Sequence, residues 1–181
     1  MRAVMLVESG FQDEEFVYPY YRMLEEGWSV GVATPDGKDR TGKFGVPARA
    51  TQRTDFAGLP DVLVIPGGFE SPDRLRAREE VQALVKRMDE AGRVIAAICH
   101  GPWVLVSAGI CKGRTLTGYD SITPDLWNAG AIVRTDVGVV RDRNLITARH
   151  YRDNGAFMRE VIQHACASEW GMEVCAAAVH L

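Results

Sequence analysis

Short, largely apolar runs alternate along this chain with stretches in which apolar residues return every three to four positions. The runs Ala3–Val7, Trp28–Ala33, Asp61–Ile65, Val94–Ile98 and Leu145–Ala148 are too short for helices and fit strands buried on both faces. Further short strands are predicted at Thr115–Thr117, Ala131–Val133 and Val137–Val140. Phe16, Tyr20, Met23 and Leu24 put one apolar face on a helix over Asp13–Glu26 that Gly27 ends, with Pro19 delaying or kinking its first turn. Ser71, Pro72 and Asp73 read as N-cap, first-turn proline and first-turn acid of a helix that Val81, Leu84, Val85 and Met88 continue up to Gly92. A helix near Thr123–Asn128 follows. A last one, capped by Asp153 or Asn154, carries Phe157, Met158, Val161, Ile162 and Ala165. The polar segment Lys38–Ala50, with Gly42 and Gly45, reads as a surface excursion around an irregular hairpin. Strands alternating with helices give an α/β fold: a mostly parallel sheet covered on both faces, with its sites at the carboxyl ends of the strands.

A length of 181 residues suits one domain with a single large core. The formal net charge of -3 supplies no broad basic field, so nucleic acid and anionic membrane surfaces are not expected partners. No apolar run reaches membrane-spanning length, and the start turns acidic after a few apolar residues; a cytoplasmic location is the default expectation. Cys99, Cys111, Cys166 and Cys175 are widely spaced, which indicates neither a disulfide framework nor a metal site.

One stretch concentrates the chemistry. From Arg93 the sequence reads RVIAAICHGPWVLVSA, an apolar strand that breaks into Cys99-His100-Gly101-Pro102 and resumes as a helix. Proline gives no N–H to a ladder but suits a first helical position, so the segment resembles a nucleophile elbow: strand, sharp turn, helix, with a thiol on the turn. A helix N-terminus would favour the thiolate; an inert core cysteine is the equal alternative from the turn alone. Two other loops converge on the same edge of the sheet. The turn after the first strand carries Glu14 and Glu15, and Pro66-Gly67-Gly68 lets backbone N–H groups approach a ligand closely.

The segment Gly10–Gly27, the PGG turn and AICHGP together resemble the PfpI family of intracellular proteases and stress proteins. That family includes the Parkinsonism-associated deglycase and lies in the class I glutamine-amidotransferase-like superfamily. The resemblance spans Met1 to about Ala167, including GRTLTGY, NAGA and FMRE, and leaves a tail, residues 168–181, outside it. It implies a flavodoxin-like three-layer α/β/α sandwich, no cofactor, and a homodimer or a trimer of dimers. It further implies that Cys99 is the nucleophile, that Glu15 rather than Glu14 is the acid bonding the thiol, and that the backbone N–H groups of Gly68 and His100 form an oxyanion hole. His100 is similar to the histidine that peptidase members pair with an acid from a neighbouring subunit. That acid falls near Asp73, in a loop one residue longer than usual, where a helix first-turn role competes. Gln12 replaces an acid of several relatives, and His150-Tyr151 replaces a usual proline. Arg149 is a candidate for an anionic substrate group, and Lys43 a candidate for touching the pocket; each has a plain surface reading.

Three functions follow from these residues. The first is a cysteine-dependent enzyme acting on a small reactive carbonyl or its adduct, of deglycase or glutathione-independent glyoxalase type. The second is an intracellular cysteine peptidase. The third is a redox-sensing stress protein with an oxidisable Cys99. The apolar tail, with Trp170, Met172, Val174 and Val179, is expected to pack on the body or on a partner subunit.

Overall fold

A computed structural model describes residues 1–55 and 58–167; the tail expectation lies outside the described residues. In chain order the first half comprises β1 (Arg2–Leu6), α1 (Asp13–Glu25), β2 (Ser29–Thr34), the hairpin β3 (Arg40–Thr41) and β4 (Pro47–Ala48), β5 (Gln52–Arg53) and β6 (Val62–Ile65). Then come α2 (Glu70–Arg76), α3 (Glu79–Glu90), β7 (Val94–Ile98), α4 (Pro102–Ser107) and β8 (Thr115–Leu116). The chain continues through α5 (Thr123–Asn128), β9 (Ile132–Val133), β10 (Val139–Asp142), β11 (Leu145–Ala148) and α6 (Asn154–Ala167).

The described residues form a sheet in the order β10-β11-β7-β6-β1-β2-β5, parallel throughout except for β10, which pairs antiparallel with β11 at the edge. Alternate residues of each strand feed opposite layers. Ala3, Met5 and Val7 pack with Phe16, Met23, Phe157 and Val161 of α1 and α6. Val4 and Leu6 pack with Leu75, Leu84, Val85, Val104 and Leu126 of α2 to α5. These two apolar layers, one on each face, are what the uninterrupted apolar strands require. Because β1 lies between β2 and β6, the chain winds outward in opposite directions on its two sides, which opens a crevice at the carboxyl ends of β1 and β6. β7 pairs with β6 through Val64↔Ala96, so its own carboxyl end, at Cys99, borders that crevice.

Four local expectations change. The helix expected from Ser71 to Gly92 is two helices, because Arg78 is extended (φ -98, ψ 122) and turns the chain between α2 and α3. Ser71 is not the cap; it lies inside α2, and its buried hydroxyl accepts from the Glu8 N–H at 2.9 Å. The short strands at Thr115 and Ile132 pair only with each other, in a separate two-stranded parallel ladder. Cys99 and Cys111 are free buried thiols, whereas Cys166, whose spacing indicates no disulfide framework, is disulfide-bonded.

Candidate active site

The elbow is built by backbone constraints that few residues satisfy. Cys99 continues β7, donating its N–H to Ala148 O at 2.9 Å, yet its φ is +61, a left-handed conformation that costs a non-glycine residue about 1–2 kcal/mol. The turn closes when Gly101 donates to Ile98 O at 2.8 Å and Pro102 starts α4. Gly101 is demanded by space: a Cβ there would lie 2.5 Å from Ile65 O and 2.8 Å from Ile98 O. Gly67 is demanded likewise, since its Cβ would meet Cys99 Cβ and a Glu15 oxygen at 2.6 Å. Gly68 takes φ +77, and a Cβ would run into Gly10 O at 2.5 Å. The PGG turn is therefore pressed against both the thiol and the loop after β1.

Three of the expected groups meet at the Cys99 sulfur. The N–H groups of Gly68 and His100 hydrogen-bond toward it, and the Glu15 carboxyl stands against it from the first turn of α1. Glu15 is fully buried, and its Oε2 accepts from the Gly67 N–H at 2.7 Å. Burial pushes this carboxyl up to about 7, with the Glu14 charge adding to the rise, while the amides of Gly67 and Tyr151 and the thiol itself oppose it. Structure thus separates Glu15 from Glu14, which spacing left open: Glu14 accepts from Gln12 Nε2 at 2.7 Å beside the cavity.

The thiol departs from expectation. Burial, and next the Glu15 charge, push Cys99 upward, against the two amides that favour its thiolate. A helix start does not prevail over burial of a cysteine that is only 7 % exposed and stands beside a carboxylate. Glu15 consequently loses its proton before the thiol does, which leaves an ionised base in contact with an S–H group near neutral pH. A base poised there is well matched to taking a proton in that range.

His100 stands on the other side of the sulfur, with Nδ1 3.3 Å from Cys99 Sγ and Nε2 3.2 Å from Ser121 Oγ. Burial and the Lys43 charge lower its proton affinity, so the ring is neutral around pH 7. Among the described residues of this single chain no carboxylate bonds the ring. Asp73 is exposed on α2 and does not line the cavity, so the chain by itself does not assemble a Cys-His-Asp triad.

The cavity over Cys99 holds about 470 Å³, with Lys43, Phe44, Phe69, Tyr119 and Tyr151 among its walls. Lys43 thus does reach the pocket, its ammonium lying 5.2 Å from the Phe44 ring and 6.0 Å from the Phe69 ring. Arg149 does not; it donates to Asp120 at 2.7 Å and to Thr135 O at 3.0 Å, and lines a neighbouring cavity. Sequence reasoning missed Asp13. Its buried carboxylate accepts from the N–H groups of Phe44 at 2.9 Å and Val46 at 2.8 Å, and so clamps the excursion loop over the cavity. A first-turn acid has an ordinary reading at a helix start, and no sequence signal marks the distant loop it holds. The loop from Tyr119 to Thr123 reads in the sequence as one that shapes the pocket, but no signal gives Ser121 or Tyr119 a role, since the sequence does not set that turn's path.

The fold and site define a flavodoxin-like α/β protein that presents a buried thiol on a strand-to-helix elbow. The chain belongs to the DJ-1/PfpI family, whose model matches residues 1–164. It is 38% identical over 165 residues to Deglycase PfpI of Pyrococcus furiosus, covering 90% of this chain and 98% of that protein. It is 38% identical over 159 residues to General stress protein 18 of Bacillus subtilis, covering 83% and 89%. Among solved structures, Drosophila melanogaster DJ-1beta superposes with a TM-score of 0.86 at 27% identity, covering 98% of this chain and 97% of that one.

Proposed function

We propose that this protein is a cofactor-free cysteine enzyme that acts on a small reactive carbonyl or its adduct, of deglycase or glyoxalase type. One observation carries the reading: Glu15, poised near 7, touches the Cys99 thiol at the floor of a cavity that also receives the Gly68 and His100 amides. Glu15 takes the thiol proton as Cys99 Sγ bonds to the carbonyl carbon. The π electrons move to oxygen, the two amides hold the resulting charge, and Glu15 returns the proton to that oxygen to give a hemithioacetal. The cavity suits a small substrate, and the deglycase names of relatives from Pyrococcus furiosus and Escherichia coli support the assignment. We propose a homodimer as the active assembly, because that is the assembly the family resemblance implies. A panel of glyoxal, methylglyoxal, their amine adducts and peptides, with Cys99→Ala as control, tests the reading; full turnover in that variant refutes it.

A peptidase reading is favoured by the His100 ring beside the thiol and by the provisional cysteine-protease name of the Bacillus subtilis relative YraA. It needs a higher assembly, a trimer of dimers, that brings Asp73 of another copy to His100. Peptide cleavage that is unchanged in Asp73→Ala removes it.

A further inference from the structure

His100 has contacts at both ring nitrogens, Cys99 Sγ at Nδ1 and Ser121 Oγ at Nε2. A neutral imidazole carries one N–H, so the ring donates at one of these contacts and accepts at the other. The choice is forced once Cys99 has given up its proton. A thiolate only accepts; Nδ1 must then carry the hydrogen, Nε2 must accept, and the Ser121 hydroxyl is the donor at that position.

The turn that carries Ser121 is well anchored for this. Tyr119 N–H donates to Cys99 O at 2.9 Å, and Asp120 is held by Arg149 at 2.7 Å. The Tyr119 ring stacks on His100 with centroids 5.0 Å apart, and Trp103 meets the imidazole edge-on at 5.1 Å. The ring plane is thus fixed by aromatics, while its hydrogen position follows from the partners at Nδ1 and Nε2 together. The charged groups near the ring are Lys43 on the excursion and Glu15 across the sulfur.

We propose that Ser121 is a positioning residue: by donating its hydroxyl to His100 Nε2 it holds the Nδ1–H form of the ring, which then donates to the Cys99 thiolate. This deepens the reading of Cys99 as nucleophile and gives Arg149 a part, as the anchor of the turn. Without the hydroxyl the ring is free to place its hydrogen on Nε2, and a lone pair then faces the thiolate.

The test is Cys99 alkylation by iodoacetamide across pH, with nitrogen NMR of labelled histidine. In the wild type His100 should show the Nδ1–H pattern. Ser121→Ala should slow alkylation roughly two- to ten-fold at pH 7, the scale of one net hydrogen bond, and move the profile to higher pH. Ser121→Thr should restore both. An Nε2–H pattern in the wild type, an unchanged profile in Ser121→Ala, or slowing that Ser121→Thr does not rescue would overturn the proposal. Alkylation needs no substrate, so failure of the carbonyl panel counts against the proposed function and leaves this result separate.

Discussion

Replacing Glu15 by Gln should make the protein more stable and less active. The carboxyl is fully buried, and burial raises it from 4.5 to about 7. A group whose folded value lies above its unfolded one supports the fold fully below about pH 4.5. That support is lost progressively as pH rises to about 7 and is gone above it. At 1.36 kcal/mol for each tenfold change, the loss is about 3 kcal/mol. Gln is neutral at every pH and keeps an amide oxygen for the Gly67 N–H, so it avoids this loss. The difference between variant and wild type should be small at pH 4.5, grow through pH 7, and level off by pH 8. For a chain of this length, 3 kcal/mol corresponds to roughly 6–12 °C in Tm. Paired thermal melts at pH 4.5, 6, 7 and 8, with turnover measured on the same samples, provide the assay. A variant that melts at or below the wild-type temperature at pH 8 would show that Glu15 is not held against its charge, and the proton-relay argument would go with it.

Other changes probe the same assembly. Wild-type Cys99 alkylation should rise through pH 7 as Glu15 ionises and becomes able to take the thiol proton; in Glu15→Gln that inflection should vanish, leaving reaction only in the alkaline range. Gly101→Ala would place a Cβ 2.5 Å from Ile65 O and 2.8 Å from Ile98 O, both backbone atoms, and should cost about 3 kcal/mol in denaturant unfolding; a loss under 1 kcal/mol would mean that the elbow is not tightly built. Asp13→Ala strips the acceptor from two loop N–H groups and should cost about 2 kcal/mol while raising KM more than it lowers kcat, because Lys43 and Phe44 are what it places. Steady-state kinetics with an unchanged KM would separate the loop from substrate binding.

Much of this was legible in the sequence because it rests on local rules. Apolar runs such as Val62–Ile65 and Val94–Ile98 admit only doubly covered strands, and a proline after His-Gly admits only a turn into a helix. The break between α2 and α3 was not legible, since Arg78 carries no proline or glycine and yields to packing on both sides. Glu15 could not be told from Glu14 by residue type or spacing in this chain alone. What separates them is that one carboxyl points between Gly67 and Cys99, a contact 52 residues distant in sequence. The thiol itself misled, because a helix start suggests an easier ionisation while the burial that opposes it is a property of the packed layers.

Departures from ordinary local rules coincide in this molecule. A non-glycine residue at φ +61, an acid with no exposure, and three glycines that admit no side chain all lie around one sulfur. Each costs stability alone, and each follows from the others: the left-handed cysteine turns its sulfur toward the PGG loop, that loop fits only as glycine because Cys99 and Glu15 fill the space at Gly67 and the backbone of the loop after β1 fills it at Gly68, and Glu15 stays beside it by accepting the Gly67 amide. A site strained merely by imperfect packing would relax under single substitutions at any of these positions. An interlocked one should gain stability only at Glu15, where an isostere removes the charge and keeps the shape, and should lose it at Gly67, Gly68 and Gly101, where any side chain collides with backbone or with the reacting groups.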